Sequence, residues 1–237
     1  MKIFSPLVKS LFGLLPRNCY WKIPFGSMRG IRWCFRAANS GQAFGKYEND
    51  IEADFVKLAT SSSVFWDVGA NVGWFSLLAS KLSVTTKIFA FEPDPSNLEY
   101  LKKHKALNDF QSITIIEKAL GAIVGDAHFN ASHQQGRLSD DGDLLVMITT
   151  ADDVIKTNEA FAPDVIKLDI EGGEVDFLEG AETLLRKYQP RFLLSAHGYQ
   201  KRDQCKEKLT QYGYSIKELV SNSVNGDYVL LAWVDNK

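Results

Sequence analysis

Two acidic residues stand at the ends of two apolar runs that the sequence predicts to be successive β-strands. Asp67 lies in the run 64–68, which a glycine turn follows, and Glu92 comes directly after the run 87–91. Successive parallel strands that each carry a carboxylate at the carboxyl end form a crevice suited to a nucleoside. The spacing therefore predicts a nucleoside-containing cofactor, held between the two strand ends.

The turn after the first strand indicates which nucleoside is bound. A dinucleotide site holds a pyrophosphate on G-x-G-x-x-G at the start of a helix, whereas this chain has Gly69-Ala70-Asn71-Val72-Gly73. S-adenosylmethionine has no phosphate; it offers an amino group, a sulfonium and a ribose diol. Asp67 suits the amino group, Glu92 suits the diol, and Gly69 allows close approach of the backbone. Taken alone, Asp67 is more typical of a turn or helix-cap residue than of a cofactor ligand.

A second set of polar residues follows two later apolar runs. Asp169 and Glu171 are two positions apart, so along an extended strand their side chains face the same way. His197 comes directly after another apolar run, and its ordinary pKa of about 6.5 suits a general base. We predict His197, or less favourably Asp169, as the catalytic base. These three residues could also hold a divalent cation, but capping or cofactor positioning is favoured, and no metal ligand is assigned.

Two further residues carry specific expectations. Lys167 lies inside a buried-looking strand, where an unpaired ammonium is costly, so we expect it to pair with Glu171 or Glu174 or to reach the strand end. His104 lies at the basic end of a predicted helix, where a solvated histidine is expected.

The elements that must position these residues alternate between strands and helices from residue 51 onward. This alternation predicts an α/β fold with a parallel sheet. Residues 125–150 are polar and predict an inserted hairpin region, while 215–220 and 228–234 predict a closing antiparallel pair around Asn225-Gly226.

Charge and composition divide the chain of 237 residues into two parts. Residues 1–46 carry eight cations and no acid, although the net charge of the chain is only −2. We predict a basic, aromatic N-terminal extension over 1–46, with an amphipathic helix at 7–15, and one domain over 47–237. The extension either contacts an anionic partner, such as a membrane surface, or packs on the acidic domain.

Several absences narrow the function. Three cysteines without metal-like spacing are typical of a reducing compartment, so we predict a cytoplasmic protein, with peripheral membrane contact through residues 1–46 as an option. No run approaches the ~18 apolar residues of a membrane span.

The chain also lacks the sequence motifs of enzymes that methylate amino groups of nucleic acids or the C5 atom of cytosine. Nucleic acid is therefore not the expected methyl acceptor. Hydroxyl or carboxyl groups of small molecules or glycans remain as the expected methyl acceptors.

Over roughly residues 44–200 the chain resembles the FkbM-type S-adenosylmethionine-dependent methyltransferases. The resemblance rests on Gly45-Lys46-Tyr47-Glu48, residues 67–73, Glu92-Pro93-Asp94-Pro95-Ser96-Asn97, Ala119-Leu120-Gly121, residues 167–174 and Leu178-Glu179-Gly180-Ala181. It implies a class I (Rossmann-like) methyltransferase fold, with a mostly parallel seven-stranded sheet and helices on both faces.

The resemblance also implies O-methylation, a place for Glu48 near the cofactor, and contact of Ala119 with the adenine. The family often has an acid before the histidine of its fifth strand, where this chain has Ser195-Ala196-His197, and this departure weighs against a bound metal. We therefore predict S-adenosylmethionine-dependent O-methylation. The alternatives are an NAD(P)-dependent oxidoreductase and a non-enzymatic module that binds nucleic acid or membranes through the basic N-terminus.

Overall fold

The structure is a computed structural model that describes residues 19–37, 40–130, 137–138, 142–222 and 227–235. The amphipathic helix predicted at 7–15 and the turn at 225–226 lie outside these residues. The described elements follow one another in this order: β1 Tyr20–Lys22, β2 Arg32–Cys34, α1 Ser40–Ala43, α2 Asn49–Thr60, β3 Val64–Val68, α3 Trp74–Leu82, β4 Lys87–Phe91, α4 Pro95–Asn108, β5 Ile113–Ile116, β6 Ala119–Leu120, β7 Gly125–Asn130, β8 Arg137–Leu138, β9 Leu144–Thr149, α5 Ala151–Lys156, β10 Val165–Leu168, α6 Glu174–Glu179, a π-helical turn Leu184–Tyr188, β11 Arg191–His197, α7 Tyr199–Gln211, β12 Ser215–Asn222 and β13 Asp227–Trp233.

The central sheet has seven strands in the order β12-β13-β11-β10-β3-β4-β5. Strands β11, β10, β3, β4 and β5 run parallel, and β13 is antiparallel to both of its neighbours. The strand order reverses at β3, which pairs with β4 on one side and with β10 on the other. The predicted α/β fold is confirmed, and so is the antiparallel closing pair. Ligands of open α/β sheets bind at such a reversal point, beyond the carboxyl ends of the strands.

Alternation along the strands divides the buried side chains between two cores, because successive side chains point to opposite faces of a sheet. Phe65 packs on one face with apolar residues of α2, α3 and α4. Trp66 and Val68 pack on the other face with residues of α5, α6 and α7. The helices therefore cover both faces, as predicted.

The inserted region forms a second sheet in the order β6-β9-β7-β8. Strands β7 and β9 pair antiparallel, so the predicted hairpin is confirmed. Phe129, Val146 and Ile148 form a small core beneath it. Phe129 also faces the cavity at the end of the central sheet, so the insert closes one side of that cavity.

The described part of the N-terminal extension packs on the domain. The Trp33 ring is wholly buried and stacks on His104 at a centroid distance of 4.0 Å. The backbone N–H of Cys34 donates to Nε2 of His104. Nδ1 of His104 contacts the carbonyl oxygen of Val72 at 2.8 Å. The expectation of a solvated His104 is therefore wrong, because residues 31–37 cover this end of α4.

The division at residue 46 and membrane contact by the extension stay predictions. Within the described ranges, no helix combines the length and the apolar character needed to cross a bilayer.

Candidate active site

A cavity of about 620 Å³ opens at the carboxyl ends of β3, β4, β10 and β11. Its size suits a cofactor-sized ligand, since such sites usually span ~300–1,000 Å³. Six of the nine predicted site residues line the cavity: Gly69, Asn71, Glu92, Ala119, Asp169 and His197. The other three, Glu48, Asp67 and Gly73, are not among its lining residues.

The turn after β3 is shaped by left-handed backbone conformations. Gly69 has φ +78°, and Asn71, an asparagine that tolerates this region, has φ 51°. A Cβ on Gly69 would lie 1.9 Å from the carbonyl oxygen of Asp169. Gly69 therefore lies in close contact with the chain at the end of strand β10. Its close approach to a cofactor stays a prediction.

The Glu92 carboxylate accepts hydrogen bonds from two backbone N–H groups. Its Oε2 accepts from the backbone N–H of Asn71 at 2.7 Å, and its Oε1 accepts from the N–H of Asp94 at 2.9 Å. Burial raises the pKa of Glu92 to about 7, although these hydrogen bonds and one from Asn97 lower it. A carboxylate oxygen accepts about two hydrogen bonds, so Oε2 retains room for a ligand hydroxyl.

Asp67 lies beneath the cavity. The side chain is 1% exposed, and its Oδ2 accepts from the Ser76 hydroxyl at 2.6 Å. Its Oδ1 is buried and has no hydrogen-bond partner within the described ranges. Strand pairing sets Asp67 opposite Lys167. Burial raises the pKa of Asp67 and the Lys167 charge opposes this shift. Its direct contact with a cofactor stays a prediction.

Lys167 is paired with Asp169, with Nζ 2.9 Å from Oδ2. The expected pairing with Glu171 or Glu174 is wrong, because Asp169 is the acid two residues on, and this places both side chains on one face of the chain. Burial lowers the pKa of Lys167, but the charges of Asp169, Asp67 and Glu48 outweigh it and raise the pKa above its usual range. The ammonium is thus held in its charged form at the wall of the cavity.

Glu48 joins this buried charge network from the start of α2. It has a left-handed φ of 48°. Burial raises the pKa of Glu48, while the Lys167 charge and a hydrogen bond from the Tyr47 hydroxyl lower it. Tyr47 lines the cavity, so the residue adjacent to the predicted one faces the space in which a ligand would lie.

His197 stands at the end of β11 with both ring nitrogens directed at acids. Its Nδ1 lies 3.0 Å from Oε1 of Glu174, which is wholly buried. Its Nε2 faces Oε2 of Glu171 at 3.4 Å and Oδ1 of Asp169 at 3.6 Å. Asp169 and Glu171 therefore both face His197. They follow the end of β10 and Glu171 has a left-handed φ of 53°, so a turn, and not the predicted extended strand, brings them together.

These acids change the protonation of His197. Burial lowers its pKa, but the Glu174 hydrogen bond and the charges of Asp169 and Glu171 outweigh it and raise the pKa to about 9. The expected pKa of about 6.5 is therefore wrong. The His197 ring is therefore protonated at neutral pH, and its Nδ1–H donates to Glu174.

The model of the methyltransferase FkbM domain matches residues 67–221, which is well over half of the chain. The chain belongs to the FkbM methyltransferase domain family. The match includes the glycine turn, Glu92, Asp169 and His197, and so takes in both sides of the cavity.

Among relatives, the chain is 28% identical over 145 residues to a protein named hexuronic acid methyltransferase AglP, from Haloferax volcanii. The alignment covers 59% of this chain and 58% of that relative. The chain thus spans less than two thirds of the relative's length.

Solved structures agree on the fold. A methyltransferase FkbM from Methylobacillus flagellatus KT superposes with a TM-score of 0.56 at 22% identity, covering 73% of this chain and 44% of that one. A precorrin-6y C5,15-methyltransferase from Geobacter metallireducens GS-15 superposes with a TM-score of 0.55 at 16% identity, covering 84% and 93%. The predicted class I methyltransferase fold is confirmed.

In this FkbM-family domain, sequence reasoning missed the partner of His197. Glu174 follows two glycines at the start of α6, and the sequence analysis considered it only as a partner of Lys167. Its contact with His197 joins the start of α6 to the end of β11, 23 residues apart along the chain. The charge of a wholly buried acid requires a compensating partner, but the sequence pattern does not select which one.

Proposed function

We propose that the protein transfers the methyl group of S-adenosylmethionine to an oxygen atom of a glycan or small molecule. The observation that carries this proposal is Glu92, whose carboxylate lines the cavity at the reversal point of the sheet in an FkbM-family domain. Two backbone N–H groups fix its orientation, so an oxygen is directed at the cavity before any ligand arrives.

The cofactor lies, in this proposal, against the ends of β3 and β4, with the ribose diol on Glu92. We call residues 69–73 together with Glu92 the cofactor edge. Ala119 lines the cavity and contacts the adenine. The cationic methionine end points toward the buried acids Asp67 and Glu48, which attract it through space from beneath the cavity floor.

The acceptor lies against Asp169, Glu171, Glu174 and His197, which we call the acceptor edge. The name of the Haloferax volcanii relative points to a hexuronic acid, so we propose a uronic-acid unit of a glycan as the acceptor. Lys201, in the first turn of α7, lines the cavity and supplies a cation suited to a sugar carboxylate.

Methyl transfer needs little covalent chemistry from the protein, because the sulfonium is already an activated donor. The main task is to align the acceptor oxygen in line with the methyl group and the sulfur. We propose His197 and Asp169 as the residues that hold this oxygen. A role for His197 as a base is restricted to alkaline pH, since an imidazolium has no lone pair with which to accept a proton.

An NAD(P)-dependent oxidoreductase is not favoured. The turn lacks the three-glycine pattern that a pyrophosphate needs, and the family is one of methyltransferases. A non-enzymatic binding module leaves the cavity and its strand-end acids without a role. A cytoplasmic location stays a prediction.

The proposal is tested by incubating the protein with methyl-labelled S-adenosylmethionine and uronic-acid oligosaccharides. We expect S-adenosylhomocysteine and a product heavier by one CH₂ group, with the label on oxygen. Calorimetry with S-adenosylmethionine and with NAD(P) provides the companion measurement. Binding of NAD(P) alone would contradict the proposal.

A further inference from the structure

The acceptor edge contains an arrangement that hydrogen bonding does not explain. Nε2 of His197 faces two carboxylate oxygens at 3.4 and 3.6 Å. A charge-assisted hydrogen bond from an imidazolium would bring nitrogen and oxygen to ~2.7–2.9 Å. Both separations exceed even the ~3.2 Å limit of an ordinary N–H···O bond. Nε2 and the two carboxylate oxygens therefore face one another across a gap, and Nε2 makes no hydrogen bond to either oxygen.

The same separations match those between ligands of one metal ion. Nitrogen and oxygen donors lie ~2.0–2.2 Å from zinc, so tetrahedral geometry sets neighbouring donors roughly 3.3–3.6 Å apart. One ligand atom from each of Asp169, Glu171 and His197 fits within 4.8 Å of the others. All three residues line the cavity, which leaves further coordination positions open to a ligand.

The residues behind these three hold them as ligands. Glu174 is wholly buried and engages Nδ1 of His197, so the lone pair of a neutral imidazole is directed from Nε2 at the gap. Metal-binding histidines commonly use such a carboxylate behind the ring. Glu174 also accepts from the N–H of Gly172 at 2.9 Å. Lys167 occupies Oδ2 of Asp169 and leaves Oδ1 as the free ligand atom.

The charge of this region also calls for a cation. Five acids lie in this region, and their charges repel one another through Asp169: Glu48 and Asp67 both sense the Asp169 charge, and Glu171 senses the charges of Asp169 and Glu174. Within the described ranges, Lys167 is the one lysine or arginine paired with this group of acids. A divalent ion would balance two of the remaining charges.

We propose that Asp169 Oδ1, Glu171 Oε2 and His197 Nε2 bind one divalent transition-metal cation at the acceptor edge. The imidazole nitrogen favours Mn²⁺ or Zn²⁺ over Mg²⁺, which prefers oxygen ligands and its own waters. This inference rests on the proposed function, because the role of the cation would be to hold the acceptor oxygen opposite the methyl group.

The cation would also make an acceptor hydroxyl more acidic. The O–H bond breaks and its proton passes to solvent. The oxygen then forms the O–CH₃ bond as the S–CH₃ bond breaks, and the electron pair of that bond stays on sulfur to give S-adenosylhomocysteine. In this scheme His197 is a ligand, so no protein base is required at neutral pH.

The test uses Mn²⁺ alone, because the electron paramagnetic resonance signal of aqueous Mn²⁺ is lost on binding. We expect one site per chain in the wild-type protein after removal of endogenous metal with a chelator. Glu171→Gln should weaken Mn²⁺ binding by at least tenfold. Asp176→Asn is the matched control, since Asp176 lines the same cavity outside the ligand group, and it should bind Mn²⁺ as the wild type does.

A second variant tests Glu174 as a positioning residue. Glu174→Gln should weaken Mn²⁺ binding by about 10- to 100-fold, the usual effect of removing a carboxylate behind a metal-binding histidine. Circular dichroism checks that each variant is folded. If Glu174→Gln is unfolded, Glu171→Gln, whose side chain is partly exposed, decides the question.

S-adenosylmethionine calorimetry on the same samples separates the two proposals. Cofactor binding without stoichiometric Mn²⁺ binding would overturn the metal site and leave the proposed function standing. Equal loss of Mn²⁺ in Glu171→Gln and Asp176→Asn would overturn it as well, because the ion would then sense only the general charge of the cavity. Mn²⁺ binding without cofactor binding would contradict the proposed function instead.

Discussion

The cofactor edge and the acceptor edge share one cavity but are built by different means. At the cofactor edge, the backbone sets the geometry. Gly69 and Asn71 adopt left-handed conformations, and Glu92 is held by main-chain donors. At the acceptor edge, side chains from three elements face one another, and three carboxylates surround one histidine. A backbone-built edge is rigid before the ligand binds, whereas a side-chain-built edge depends on its charges and on what occupies it.

The largest expected effect tests the rigidity of the cofactor edge. Gly69→Ala places a Cβ 1.9 Å from the Asp169 carbonyl oxygen, so strands β3 and β10 must separate. We expect a loss of at least ~3 kcal/mol in the free energy of unfolding, measured with urea. Gly213→Ala is the matched control, with φ +82° and no atom within 4 Å of the new Cβ. It should cost only ~1–2 kcal/mol, from backbone strain alone. Equal losses of unfolding free energy in the two variants would show that the close contact between the turn and the end of β10 does not stabilise the fold.

The second effect concerns the support behind the cofactor turn. His104 contacts the carbonyl oxygen of Val72, and burial lowers its pKa to about 4. Because this pKa lies below the unfolded value of about 6.5, the stabilisation is complete above pH 6.5 and is lost as the pH falls toward 4. The loss reaches about 3 kcal/mol when the folded pKa is about 4.

Urea unfolding from pH 7.5 to 4 measures this loss. His104→Gln cannot titrate, so the gap between the wild-type and variant stabilities should narrow as the pH falls. A gap of constant size would show that His104 does not couple protonation to folding.

The third effect is electrostatic and belongs to Glu92. Burial raises the pKa of Glu92 to about 7. The ribose hydroxyls donate to the ionised form, so binding must release a proton below pH 7. Affinity for S-adenosylmethionine should therefore fall with pH below 7, by up to about tenfold per pH unit. Calorimetry from pH 8 to 5 measures this slope. Glu92→Gln should bind more weakly and follow a shallower slope, and a slope unchanged by the substitution would locate the proton elsewhere.

The same contrast explains what the sequence could predict. The residues that form the cofactor edge are close in sequence or end adjacent strands, so Gly69, Asn71 and Glu92 follow from turn chemistry and strand order. The partners of His104 and His197 could not be assigned in this way. Each lies on an element brought into contact by packing, such as β2 against α4 or α6 beside β11. Burial then lowers the pKa of His104, whereas neighbouring acids outweigh burial and raise the pKa of His197. No local pattern distinguishes those two environments.

The most direct test of the account compares the affinity of two variants for S-adenosylmethionine by calorimetry at pH 7.5. Glu92→Ala removes a charge-assisted contact worth ~1.5–3 kcal/mol, so it should bind roughly 10- to 150-fold more weakly than the wild type. His197→Ala changes only the acceptor edge and should bind within about twofold of the wild type. The account predicts this asymmetry. Unchanged affinity in Glu92→Ala, or an equal loss in both variants, would contradict the division of the cavity into a cofactor edge and an acceptor edge.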